Sequence, residues 1–277
     1  MVGTKKRTLL DMRFLLIFVI LYSAIFADDI KLSWYSWNGF QEYNKDKENF
    51  FDTLEPTNRI FLSFNAKEII NLKYMQIEKD ELNSFLLKAK KHNINVELLI
   101  GDHTYVYPKN HHHLLELIEF FKEFEFSGLQ LDIEPSGLKS YDEKLWMENI
   151  SALMIKVSKT TDLDVGFSLN HALAKPYILK KLQASKVDEV IIMYYSINSL
   201  NIEQKLNNIM KKNQNLKFSL ALSIEPLSVL SKNETFAIYG KEKSLVRWKN
   251  INDTLKHNNN FVDIVIQSLY DYSKAKR

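Results

Sequence analysis

Short apolar or β-branched runs recur along the chain, separated by longer segments with apolar residues at three- and four-residue spacing. Eight such runs are found, at Lys31–Trp37, Arg59–Asn65, Asn95–Asp102, Gly128–Glu134, Asp164–Asn170, Glu189–Ser196, Lys217–Glu225 and Phe261–Tyr270. Their apolar residues are nearly continuous, as expected of strands covered on both faces, and such strands alternating with helices build a parallel sheet. Helices are predicted over Lys67–Lys91, His112–Phe124, Lys144–Ser158, Ile202–Lys212 and Lys241–Lys256, each with an apolar stripe and a charged outer face. Eight β/α units predict closure into a (β/α)8 TIM barrel, with functional groups at the C-terminal ends of the strands. An open doubly wound sheet is the competitor, but its first turn usually carries a Gly-rich phosphate site, and Trp37-Asn38-Gly39-Phe40 has a single Gly.

The chain ahead of the first strand follows a different pattern. Lys5, Lys6, Arg7 and Arg13 precede an uncharged run from Phe14 to Ala27, after which Asp28 and Asp29 turn the sequence polar. That is the pattern of an export signal peptide over residues 1–27, leaving residues 28–277 as the barrel domain. The run is shorter than the roughly 20 residues needed to span a bilayer, so cleavage near Ala27 and a secreted or periplasmic product are expected. An uncleaved signal would instead anchor the protein. The signal carries four basic residues and one acidic residue, so its net +3 equals that of the whole chain and the remainder is neutral. A balanced domain gives no electrostatic case for a nucleic-acid partner. With no Cys, a disulfide framework, thiolate metal ligands and a Cys nucleophile are excluded.

The fourth run, Phe126-Ser127-Gly128-Leu129-Gln130-Leu131-Asp132-Ile133-Glu134-Pro135, is the richest in chemistry. Asp132 and Glu134 stand two apart, so on a strand they share a face. With Leu129, Leu131 and Ile133 turned towards the helices, that face is the barrel interior. Two acids in one desolvated mouth cannot both ionise cheaply, so one carboxyl is expected to keep its proton towards neutral pH and to serve as a general acid. A carboxylate pair that caps a loop or meets a Lys is the plain alternative.

These residues resemble glycoside hydrolase family 18, the chitinase-like barrels, whose fourth strand reads Asp-Gly-x-Asp-x-Asp-x-Glu. Ser127 stands at the first Asp, Gly128 at the Gly, Gln130 at the second Asp, Asp132 at the third and Glu134 at the catalytic Glu. The resemblance implies that Glu134 protonates the glycosidic oxygen while Asp132 orients a substrate 2-acetamido group, which attacks the anomeric carbon in place of an enzyme nucleophile. No metal or cofactor is implied. Leu99-Ile100-Gly101-Asp102 looks like the family's strand-three Ser-x-Gly-Gly, and Met193-Tyr194-Tyr195-Ser196 is similar to its strand-six Met-x-Tyr-Asp. Tyr195 is then the residue implied to hydrogen-bond the acetamido carbonyl, with Asp102 and Met193 in the candidate substrate-binding set. Gln267, on strand eight, occupies the place of a Trp beneath the scissile sugar. The pattern departs from the family at Ser127, Gln130, Asp102, Ser196 and Gln267, so a hydrolase of another glycan and a chitinase-like binder without turnover fit the same residues.

A second carboxylate arrangement competes. Strand seven ends Ser223-Ile224-Glu225-Pro226, and a retaining hydrolase could use Glu134 as acid/base and Glu225 as nucleophile, with carboxyls roughly 5 to 5.5 Å apart. Ile133 stands where such enzymes normally have Asn before the strand-four Glu, and Glu225 could equally cap a loop. Of the strand-one aromatics Trp34, Tyr35 and Trp37, Tyr35 is expected to face away from both Trp residues, and Trp37 is nearest the mouth and the best candidate for stacking on sugar. Tyr105 and Tyr107 could wall a cleft, and Asn170 and His171 end strand five within reach of a substrate. His111, His112 and His113 are consecutive and cannot all face one ion, so a solvated helix entry is expected there. Asn149, Asn233 and Asn252 begin Asn-x-Ser/Thr triplets that matter only in a eukaryotic secretory host. A polysaccharide or oligosaccharide is the one partner that the motifs indicate, and a monomer is expected.

Overall fold

The structure is a computed structural model that describes residues 30, 32–37, 39–52, 54, 57–138 and 141–276. The expected export signal, residues 1–27, lies outside them. Within the unit Lys31–Arg277, eight parallel strands close in sequence order into a barrel: β1 Leu32–Ser36, β2 Thr57–Ser63, β3 Asn95–Ile100, β4 Gly128–Leu131, β5 Val165–Asn170, β6 Glu189–Met193, β7 Lys217–Ser223 and β8 Phe261–Gln267. Closure is completed by β8 pairing with β1, where Leu32 meets Ile264 and Trp34 meets Ile266. The (β/α)8 expectation holds, and each strand falls inside or within two residues of its predicted run.

The outer layer contains α1 Gly39–Lys45, α2 Ala66–Tyr74, α3 Gln76–Lys91, α4 His111–Phe121, α5 Glu143–Thr160, α6 Pro176–Ala184, α7 Ser199–Lys212, α8 Gly240–Leu255 and α9 Leu269–Lys274. The predicted helix Lys67–Lys91 is two helices. Met75 takes an extended conformation (φ −117°, ψ 111°) between them, while Asn65 and Glu68 form a capping box that starts α2. The His111–His113 entry is also not uniformly solvated. His111 is 2% exposed, its Nδ1 is 3.2 Å from Lys156 Nζ, and only His112 and His113 face solvent. The helical stripe explains this: His111 precedes Leu114 and Ile118 on the face of α4 that packs inward.

Strand alternation sorts the barrel interior into layers. At the N-terminal end lies an ionic layer in which Arg59 of β2 donates to Glu97 of β3, Glu189 of β6, and Asp263 of β8, and to the Ser219 hydroxyl of β7. A cavity of about 630 Å³ opens at that end, with Arg59, Glu97 and Glu189 in its wall. Above it comes an apolar layer of Tyr35, Phe61, Leu99, Ile191, Met193, Ala221 and Val265. The next inward positions towards the C-terminal strand ends include Trp37, Asp132, Tyr195 and Gln267. Both the apolar and the ionic layers thus lie beneath the mouth.

Candidate functional site at the C-terminal mouth

The carboxylate pair is delivered by β4 and its extension. Asp132 N–H still donates to the Ile100 carbonyl (2.9 Å), and the backbone stays extended at Glu134 (φ −83°, ψ 148°) before a 3-10 turn over Pro135–Gly137. Leu129, Leu131 and Ile133 are each 0% exposed on the outer side of this segment, as the alternation requires. Gln130 lies deepest on the inner side. Its Nε2 donates to Ser168 Oγ (2.8 Å), and the Ser168 and Tyr35 hydroxyls are 2.7 Å apart. Neutral groups therefore occupy the floor below Asp132.

Asp132 is half-buried, and its Oδ1, sealed from solvent, has no hydrogen-bond partner. Desolvation, reinforced by the charge of Glu134, pushes its carboxyl up to about 7. Burial also raises Glu134, which keeps part of its surface open. The two carboxyls titrate as a pair that retains a proton near neutral pH, and Asp132, the deeper of the two, is the member pushed to about 7. Tyr195, just past β6, completes the group. Burial, then the charges of Asp132, Glu225 and Glu134, hold its phenol well above the usual value, so it stays a neutral hydrogen-bond donor.

Trp37 corrects one expectation. Tyr35 and Trp37 are two residues apart and share the interior face, with ring centroids 6.1 Å apart and planes 23° from parallel, whereas Trp34 points outward against Tyr272. Trp37 rests on the apolar layer as a half-buried ring, and its Nε1 donates to Gln267 Oε1 (3.0 Å). Gln267 in turn hydrogen-bonds Glu225, whose carboxylate also accepts from Ser223 Oγ (3.0 Å). Burial raises Glu225 despite those two bonds.

Other candidates are placed differently. Met193 is 4% exposed and belongs to the apolar layer, supporting the mouth from beneath. Asp102 and Asn170 lie at the ends of β3 and β5, where their side chains accept from the Thr104 and Ala172 amides. His171 packs on the Tyr194 ring (4.1 Å), and burial, with Lys205 nearby, lowers its pKa. Tyr105 lines a cavity of about 260 Å³ beside β2 and β3, together with Ser63 and Asp102, while Tyr107 is exposed. Ser168 escaped sequence reasoning altogether. Its signal was a small polar residue at an inward position between Phe167 and Leu169, the same side of β5 as Gly166. Among the described residues no cluster of His, Asp and Glu could hold a metal ion.

No protein-family model matches the chain, and no curated protein matches its sequence. Solved structures do match its fold. A new form of xylanase-A-amylase inhibitor protein, XAIP-III, superposes with a TM-score of 0.57 at 11% identity, covering 89% of this chain and 95% of that one. The endo-beta-N-acetylglucosaminidase from Cordyceps militaris gives 0.56 at 12% identity over 86% of this chain and 80% of its own. XAIP-I, solved in complex with trehalose, gives 0.56 at 13% over 89% and 96%. At such identities the likeness is one of fold, and the chain shares its barrel both with a glycosidase and with inhibitor proteins.

Proposed function

We propose that the C-terminal mouth is a glycan site and that the protein hydrolyses a glycosidic bond in an N-acetylated polysaccharide or oligosaccharide. The observation that carries this reading is the convergence of a carboxyl with one buried, partnerless oxygen, a second desolvated carboxyl two residues on, and a neutral phenol on one strand-end face. With substrate bound, the proton shared by the pair rests on Glu134, the more open carboxyl, leaving Asp132 ionised; Glu134 gives that proton to the leaving oxygen as the bond from that oxygen to the anomeric carbon breaks. The substrate's acetamido oxygen bonds to the anomeric carbon, Asp132 accepts the acetamido N–H, and Tyr195 donates to the carbonyl side. Water then displaces the acetamido oxygen from the anomeric carbon, that C–O bond breaking as the new one forms, and loses a proton to the Glu134 carboxylate, which restores the acid. The Cordyceps militaris neighbour in fold, an endo-beta-N-acetylglucosaminidase, agrees with an N-acetylated substrate.

A reading without turnover is favoured by Gln130, a neutral residue beneath Asp132 that cannot share its proton, and by the inhibitor proteins of the same fold, one of them bound to trehalose. The test is hydrolysis by the purified protein against N-acetylated and non-acetylated polysaccharides, with Glu134→Gln in parallel. Cleavage of an N-acetylated substrate that disappears in the variant supports the proposed chemistry. Cleavage restricted to non-acetylated sugars moves the case to Glu134 with Glu225, and binding without product selects the second reading. A Glu134→Gln protein that hydrolyses normally removes Glu134 from the mechanism.

Export of the domain and a monomeric state belong to the same proposal. N-terminal sequencing and sedimentation of the protein recovered from its host test them.

A further inference from the structure

Gln267 stands on β8 without an aromatic ring, and the half-buried ring at the strand ends comes from β1, as Trp37. The indole of Trp37 lies across the mouth, with its six-membered ring over β3 and its N–H reaching β8. A Cβ placed on Gly101 would stand 2.9 Å from Trp37 Cη2 and 3.1 Å from Cζ3, so the ring occupies the space that any side chain at Gly101 would need. At the other end, Trp37 Nε1 donates to Gln267 Oε1 (3.0 Å), and the Gln267 amide is turned by its bond to Glu225, itself held by Ser223. The lower face of the ring is taken by Tyr35 and the apolar layer, and its remaining surface is open at the strand ends that carry Asp132 and Glu134. A rigid, half-exposed aromatic with a fixed tilt beside a carboxylate pair suits the C–H face of a pyranose ring.

We propose that Trp37 is the stacking platform of the glycan site and that Gln267 and Glu225 are positioning residues that fix its plane. The assignment rests on the glycan reading above and goes beyond it, because it fixes where the sugar lies, against β1 and β3, and removes Glu225 from the reacting atoms. A carboxylate already bonded to Ser223 and Gln267 orients a neighbour.

Tryptophan emission gives a direct readout. Of the four Trp residues, Trp34, Trp146 and Trp248 are 0%, 3% and 0% exposed, so a sugar entering the mouth can contact Trp37 alone. The probe is N-acetylchitotetraose, titrated into Glu134→Gln protein, in which turnover is removed, with affinity measured in parallel by calorimetry. The expected result is a saturable emission change that is absent in the Trp37→Phe double variant, with affinity about tenfold weaker for Trp37→Ala and intermediate for Trp37→Phe. Gln267→Leu should weaken binding about three- to tenfold through loss of ring orientation, whereas Glu225→Gln, which keeps an acceptor for the Gln267 amide, should stay within about threefold.

Binding that leaves the emission unchanged, or an affinity untouched by Trp37→Ala, overturns the platform while leaving the glycan reading standing. No binding of the probe overturns both. Hydrolysis abolished in Glu225→Gln with affinity intact makes Glu225 a catalytic group and overturns its positioning role.

Discussion

Asp132 shows how a residue can be placed at the expense of stability. Its Oδ1 is buried without a partner, and the residue beneath it, Gln130, donates its Nε2 to the neutral Ser168 hydroxyl. Nothing in the fold needs an acid there, because an isosteric amide would fill the same space with less desolvation. Asp132→Asn is therefore expected to raise thermal stability at pH 8 and to lower kcat on an N-acetylated substrate by about 10² or more, the opposite signs that mark a functional carboxyl. Melting curves and turnover measured on one preparation check both halves. A variant that loses stability at pH 8 would instead mean that the carboxyl holds the mouth together. Tyr195 follows the same logic on the binding side. Tyr195→Phe keeps the ring on the apolar layer and removes only the donor, so KM should rise and the fold should be unaffected.

At the scale of elements, the strands were legible because burial on both faces leaves a continuous apolar run, and the turn from run to helix changes the period from two to three or four. That signal placed β4 and its two carboxyls correctly. It failed where the period was short or interrupted. α6, Pro176–Ala184, has three buried residues in nine, and α1 and α9 are shorter still, so none of them builds a long stripe. The continuous pattern from Lys67 to Lys91 conceals the break at Met75 because apolar spacing carries across a single extended residue. In the site, spacing along one strand was readable and cross-strand partnership was not: Trp37 to Gln267 and Gln130 to Ser168 join residues 230 and 38 positions apart. Gly166 belongs to this hidden set. A Cβ there would lie 1.9 Å from Gln130 Oε1, so Gly166→Ala forces either the amide or β5 to move. The expected cost is about 1–3 kcal/mol, readable as a lower denaturation midpoint, and a Gln130→Ala partner substitution should recover part of it by making room.

For the molecule as a whole, the buried charges set how stability depends on pH. Arg59 is one cation among three carboxylates at the N-terminal end of the barrel. Burial opposes every charge there, yet Arg59, with the Ser33 and Ser219 hydroxyls, holds Asp263 below the usual carboxylate range, while burial and the charge of Glu189 leave Glu97 at about 7. Asp132, at the opposite end, is also at about 7. Both of these carboxyls have folded values above their unfolded ones, near 4 to 4.5. Each therefore contributes stability that is complete below the unfolded value and is lost as pH rises to about 7 and beyond. His111 and His171 act in the other direction, since burial lowers both and neutral imidazole in the fold becomes costly once the unfolded form protonates below about 6.5. The result is a stability maximum near pH 6, with about 1–2 kcal/mol gained on going from pH 8 to pH 6, or a few degrees in Tm. Asp132→Asn and Glu97→Gln should each flatten that slope on the alkaline side. Arg59→Met should cost about 3–5 kcal/mol at pH 8, because three buried carboxylates lose their cation, and less at pH 6, where Glu97 can take up a proton. A melting temperature that rises steadily from pH 6 to pH 8 in the unsubstituted protein would show that the proton-holding state of Asp132 and Glu97 does not exist in solution.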